Sequence, residues 1–168
     1  MQGSLIKKAS LKDRGLEILS KGGSRMLSIK RDQKIDLLKK VPMFSNLSNR
    51  QLIEIAKHAQ QVSVKEGTVL AKQGSKGWEF FFIIEGEAQV QKDGKPIRRL
   101  ASGNFFGEIS LIDQEPRTAT VIAETHMMLL VVDTRSFDHL LETIPGLQRK
   151  IILALCRYIR LAEKLSVL

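Results

Sequence analysis

Between residues 106 and 121 the chain concentrates groups that could hold a ligand. Gly107, Glu108, Ser110, Arg117 and Thr118 are set among Phe106, Ile109, Leu111, Ala119 and Val121. A glycine lets backbone approach a ligand closely because it has no Cβ. Glu108 offers a carboxylate to a sugar hydroxyl, and Ser110 offers a hydroxyl and a backbone N–H. The guanidinium of Arg117 is a planar donor fork, which suits a phosphate better than a lysine ammonium does. Together these parts describe a pocket for something that is both sugar and phosphate. Catalysis fits less well. Neither Gly-x-Ser-x-Gly nor a P-loop lysine motif is present, and no nucleophile has a base placed to serve it. His58, His126 and His139 stand far apart without zinc-like spacing. No metal site is expected, because a cupin-type enzyme needs a convergent cluster that three scattered histidines would hardly build.

The elements that must position these groups follow from periodicity. Residues 5–21 read as a loose helix weakened by Gly15 and broken by Gly22-Gly23-Ser24. Helical or partly disordered chain is expected before about residue 32. A second helix over 32–40 carries Ile35, Leu37 and Leu38 and stops before Pro42, which disfavours helical geometry at Val41. A third starts at Ser48, where Gln51 can complete a reciprocal cap and Leu47 and Leu52 a hydrophobic staple. From Gln61 the period becomes that of strands. Short apolar runs are separated by Gly74, Gly86, Asp93-Gly94 and Ser102-Gly103. That rhythm argues for a sandwich or barrel rather than a parallel βαβ sheet. After Asp133-Thr134 the helical period returns, with Phe137, Leu140 and Leu141 on one face as far as Ile144-Pro145-Gly146. A long helix over about 147–165 follows, its stripe drawn through Ile151, Ile152, Leu155, Tyr158, Ile159, Ala162 and Leu165.

Phe106-Gly107-Glu108-Ile109-Ser110-Leu111, a short loop, then Pro116-Arg117-Thr118-Ala119-Thr120-Val121 resembles the phosphate-binding cassette of cyclic nucleotide-binding domains. The family pattern is apolar-Gly-Glu-x-small-apolar, a variable loop, then Arg-Ser/Thr/Ala-Ala-x-apolar. The chain fits it at every fixed position. Val41 to about Ala59 resembles the family's N-terminal helical unit, and Leu70 to Gly86 its early strand-turn-strand pattern. In the latter, Ala71 stands where a larger aliphatic is usual and Ser75 where a more polar residue is usual. Both departures are expected to touch packing more than binding. The resemblance covers roughly residues 41–165, and residues 1–30 lie outside it.

The resemblance implies a small β jelly roll with N-terminal helices and a C-terminal hinge and lid helix. It implies a cyclic nucleotide-binding domain over 32–168 behind a basic segment at 1–31. The ligand would be cAMP or cGMP, with no other cofactor. Phe106, Gly107, Glu108, Ile109, Ser110, Arg117, Thr118 and Ala119 would bind it. Arg117 would meet the phosphate, with an ion pair to Glu108 as the reading that needs no ligand. Glu108 would accept from the ribose 2′-hydroxyl. Gly107 to Ser110 would form the first turn of a short helix facing the phosphate. Thr118 bears on the base, since a hydroxyl there can reach the guanine 2-amino group. Leu155, Arg157, Tyr158, Ile159 and Arg160 are the candidates for a lid over the base. Phe82, Ile83 and Val69 either line its apolar side or are simply core. The function implied is a non-enzymatic sensor that relays binding through the C-terminal helices to an effector protein.

Composition sets the remaining bounds. The formal charge of +9 is uneven: residues 1–45 hold 11 Lys/Arg against 4 Asp/Glu, and residues 46–168 hold 16 against 14. A basic arm could serve nucleic acid, anionic lipid or an acidic partner, but no aromatic residue precedes Phe44 to stack on bases. Nucleic acid is therefore not favoured, and a DNA-binding regulator acting through this arm stays the alternative, beside a scaffold with an empty pocket. The single cysteine, Cys156, excludes an internal disulfide and fits a reducing cytoplasm. No run is long enough for a membrane span and no apolar leader opens the chain. The amphipathic C-terminal helix could also mediate a homodimer.

Overall fold

The computed structural model describes residues 25–26, 30–41 and 44–166. The helix expected over 5–21, and with it most of the basic arm, lies outside the described residues. Elements are numbered in chain order among the described residues.

Helix α1 (Arg31–Lys39) precedes Pro42 as expected, and its Leu38 is fully buried. Helix α2 (Asn49–His58) begins at the expected reciprocal cap. Gln51 N–H donates to Ser48 Oγ over 3.3 Å, and Ser48 N–H donates to Gln51 Oε1 over 2.9 Å. Lys34 of α1 donates its Nζ to the Ala59 carbonyl over 2.7 Å, so a cation satisfies the end of α2 where helix carbonyls lack partners. Burial holds that ammonium below its ordinary pKa.

The strands are β1 (Arg25–Met26), β2 (Gln60–Val64), β3 (Val69–Ala71), β4 (Glu79–Glu85), β5 (Ala88–Lys92), β6 (Lys95–Leu100), β7 (Phe105–Phe106), β8 (Thr120–Ala123) and β9 (Met127–Asp133). They form two sheets, ordered β1-β2-β9-β4-β7 and β3-β8-β5-β6, and all pairs are antiparallel. This is the expected jelly roll. Residues 25 and 26, which the sequence placed in a helical or unstructured lead-in, instead pair with Ser63 and Val62 at the sheet edge. Asp93 and Gly94 both adopt positive φ, 51° and 75°, which makes the tight hairpin turn their types favour.

Strand β4 explains the two-core build. Its side chains alternate between faces. Phe80, Phe82 and Ile84 join a cluster beneath the helices, whereas Phe81 and Ile83 join a second cluster between the sheets. β9 divides the same way, with Leu130 and Val132 on the helix side and Met127, Leu129 and Val131 between the sheets. A strand covered on both faces must read as a continuous apolar run, as Phe80–Ile84 does. Phe82 and Ile83 are thus core, Val69 is 38% exposed, and none of the three lines the recess at the cassette.

Three helices follow the strands into the site and beyond it. They are α3 (Glu108–Asp113), α4 (Thr134–Thr143) and α5 (Leu147–Ser166). Asp133 Oδ1 caps α4 by accepting from Ser136 N–H over 2.7 Å. Helix α5 buries Ile151 and half-buries Leu155 and Tyr158, a stripe at spacings of four and three. Ile152 and Ile159, expected inside, are 56% and 59% exposed. Each sits one position past a stripe residue, about 100° round the helix and off its packed face. No helix among the described residues is long and apolar enough to cross a membrane.

Candidate functional site

β7 sets the cassette between the two cores. Phe105 packs on Phe80 on the helix side (5.4 Å between centroids), and Phe106 stacks on Phe81 between the sheets (4.6 Å, 8° between planes). Such ring pairs contribute about 0.5–1.5 kcal/mol beyond burial alone. Gly107 then turns the chain with φ of +94°, and α3 starts at Glu108, giving the expected short helical turn. A Cβ on Gly107 would stand 2.6 Å from the Glu79 carbonyl oxygen, so both the turn and the close approach require glycine.

All eight cassette residues singled out in the sequence line one solvent-open recess. Glu108, Ser110 and Arg117 are buried polar groups, and Thr118 is exposed. Ala71, Val90 and Val121 supply the apolar wall, and Arg98 reaches it from β6. Ala71 therefore borders the site, and its small side chain widens the recess rather than only loosening the core.

Arg117 is 6% exposed and its fork is fixed by backbone. Nη1 donates to the Gly107 carbonyl over 2.9 Å and Nη2 to the Glu79 carbonyl over 2.8 Å. The nearest carboxylate oxygen is Glu79 Oε2 at 3.5 Å, so the ion-pair partner is Glu79, not the Glu108 of the reading that needs no ligand. Burial pushes both carboxyls above the usual carboxylate range. Arg117 opposes this at Glu79; at Glu108 its own backbone N–H, Arg98 and Arg117 oppose it. Burial likewise lowers the Arg117 guanidinium, against Glu79 and Glu108. Two cations and a carboxylate facing a recess can take an anion and a hydroxyl together. Gly77 completes the seat, since a Cβ there would lie 2.5 Å from Arg117 Cζ.

The lid candidates separate. Arg157, Ile159 and Arg160 are exposed, Leu155 packs against the helix-side core, and none of the five lines the recess. Tyr158 comes nearest. Arg98 Cζ lies 3.9 Å from its ring centroid, and its hydroxyl donates to the Phe105 carbonyl over 3.5 Å. Burial, then the Glu108 carboxylate, raises the Tyr158 phenol pKa.

Sequence reasoning missed Glu79, Arg98 and Gly77. Glu79 heads the apolar run of β4, where a buried charge needs a partner. Arg98 is two residues before the buried Leu100, hence on the same strand face. The histidine expectation also fails in part. His58 and His139 come together with rings 4.9 Å apart, beside Glu54, while His126 pairs with Ser63. The packing of α2 against α4 joins what 80 residues of sequence separate.

A family profile for the cyclic nucleotide-binding domain matches residues 61–144, half of the chain. The chain is 39% identical over 114 residues to the cAMP-dependent protein kinase regulatory subunit of Schizosaccharomyces pombe, covering 67% of this chain and 28% of that protein. It is 37% identical over 115 residues to a cyclic nucleotide-gated potassium channel of Rhizobium etli, covering 68% and 32%. It therefore spans less than a third of either curated relative. The solved structure of cAMP-bound PfPKA-R superposes with a TM-score of 0.74 at 27% identity, over 82% of this chain and 48% of that one. With the cassette geometry in place and the profile running from β2 to the end of α4, the chain belongs to the cyclic nucleotide-binding domain family, whose members are non-catalytic regulatory binding modules.

Proposed function

We propose that this chain is a cAMP or cGMP sensor that seats the ligand phosphate at Arg117 and the ribose at Glu108. The observation that carries this is the convergence of a buried guanidinium and a buried carboxylate on one recess edged by glycine backbone. Two backbone carbonyls hold the Arg117 fork, and a guanidinium has five N–H donors, so donors remain for a phosphate oxygen. Glu108 accepts from the ribose 2′-hydroxyl, so a 2′-deoxy ligand leaves a buried carboxylate without its donor. Arg98, held on the Tyr158 ring, would bring that helix toward the bound base, and Thr118 at the rim would contact it.

Signal leaves the site by the peptides beside Arg117. Trp78 and Glu79 are consecutive. The Glu79 carbonyl takes the Arg117 bond, and the Trp78 carbonyl accepts from Thr134 N–H over 3.0 Å and Thr134 Oγ1 over 3.1 Å at the start of α4. A second route runs through rings, from Phe105 to Phe80 to Phe137 of α4 at 5.4 and 4.8 Å. A ligand that draws on Arg117 biases α4 and then α5, by no more than its difference in affinity for the two arrangements. The effector that reads α5 is a separate protein or a further part of a longer one.

Calorimetric titration with cAMP, cGMP and a cyclic dinucleotide tests binding, with saturation by a mononucleotide expected. No heat from either mononucleotide overturns the reading. Amide exchange tests the relay, with ligand-dependent protection expected across 134–165.

A further inference from the structure

Away from the recess residues, three side chains of α2 and α4 converge. Glu54 and His58 lie one helical turn apart on α2, and His139 faces them from α4. Glu54 Oε1 is 3.3 Å from His58 Nε2 and 3.2 Å from His139 Nε2. A tetrahedral zinc ion with bonds of about 2.0–2.1 Å holds neighbouring donor atoms about 3.3 Å apart. The Glu54 oxygen already stands at that separation from each imidazole, and all three donor atoms lie within 4.8 Å of one another.

The surroundings orient the donors. His58 Nδ1 is 3.3 Å from Ser136 Oγ. In the tautomer that donates Nδ1–H there, Nε2 keeps a lone pair for a cation; in the other, Nε2–H donates to Glu54 Oε1, and an incoming metal displaces that proton. Lys57 donates to Glu54 Oε2 over 3.3 Å and leaves Oε1 to the histidines. The side chains of Glu54 and His58 are 31% exposed and that of His139 44%, so water can enter and fill a fourth position.

We propose that Glu54, His58 and His139 form a binding site for a zinc-type divalent transition metal, which staples α4 to α2. The two-imidazole, one-carboxylate donor set suits zinc, nickel or copper rather than calcium or magnesium. A bound ion would resist movement of α4 and so adjust the nucleotide response, a consequence that rests on the sensor reading above.

The test uses the full chain without an affinity tag, in a Cys156→Ser background, with no nucleotide present. Titration with zinc chloride is expected to show one site of micromolar affinity or tighter, and amide exchange slower protection loss in 134–143 on zinc addition. His139→Ala and Glu54→Gln, both at partly exposed side chains, are expected to weaken zinc at least about ten-fold, and His126→Ala to leave it unchanged. Absence of single-site binding, or equal zinc affinity in His139→Ala, overturns the site. Zinc binding without altered exchange in α4 overturns the staple. Since no arm contains nucleotide, each result stands apart from that of the cAMP titration.

Discussion

Arg117 Nη2 donates to the carbonyl of Glu79, 38 residues earlier, over 2.8 Å, and the Glu79 carboxylate approaches the same nitrogen at 3.5 Å. The guanidinium is thus positioned by the first residue of β4 together with the Gly107 carbonyl. Because the Trp78 carbonyl holds the start of α4, one short segment serves both the anion site and the helix that follows the sheets.

Arg117→Leu is expected to weaken cAMP binding roughly thirty-fold or more, since losing one partner of a desolvated charge pair costs about 2–5 kcal/mol. Calorimetry on protein whose circular dichroism matches wild type checks this. Unchanged affinity removes Arg117 from the site.

Gly77→Ala and Gly107→Ala separate seat from fold. A Cβ on Gly77 meets the flexible end of Arg117 at 2.5 Å, so the guanidinium shifts and binding is expected to fall with little loss of stability. A Cβ on Gly107 meets backbone at 2.6 Å with φ of +94°, so Gly107→Ala is also expected to destabilise the domain by about 1–3 kcal/mol. Urea unfolding beside calorimetry distinguishes the two.

Burial raises the Glu108 carboxyl in the fold. Well below about pH 4 the group is protonated whether folded or unfolded. As pH rises, the unfolded chain ionises first, so stability falls until the raised folded value is passed, then levels off. Glu108→Gln is therefore expected to gain stability relative to wild type between acidic and neutral pH without ligand, because Glu79, which titrates in the same direction, is common to both proteins. A wild-type-minus-variant difference that does not move with pH defeats the assignment.

Thr118→Ala is expected to leave cAMP affinity nearly unchanged and to lower cGMP affinity several-fold, the loss of one hydrogen bond of about 0.5–1.5 kcal/mol. Paired titrations decide it, and equal effects on both ligands would confine Thr118 to the rim.

What could be read in the sequence was local. The Ser48–Gln51 cap, the Asp93-Gly94 turn and the cassette spacing each depend on a few neighbouring residues, and each has its expected form. What could not be read depends on register between distant strands or on helix packing. Glu79 meets Arg117 because β4 lies beside β7, and Arg98 meets Tyr158 because α5 returns over the second sheet's edge strand. His58 meets His139 because α4 packs on α2. The exposure of Ile152 and Ile159 has the same origin, since periodicity defines a helix face but not how much of it finds a neighbour.

Strand β4 also dictates where the chain can change length. Its consecutive phenylalanines belong to different cores, so one residue inserted between Glu79 and Phe81 would send Phe81 to the helices and Phe82 to the inter-sheet space. At Asp93-Gly94, exposed at the end of the β5–β6 hairpin, extra residues would trade no side chains between cores. Insertion scanning should find β4 intolerant and this hairpin permissive, which makes the hairpin the place to graft a fluorescent reporter without disturbing the sensor.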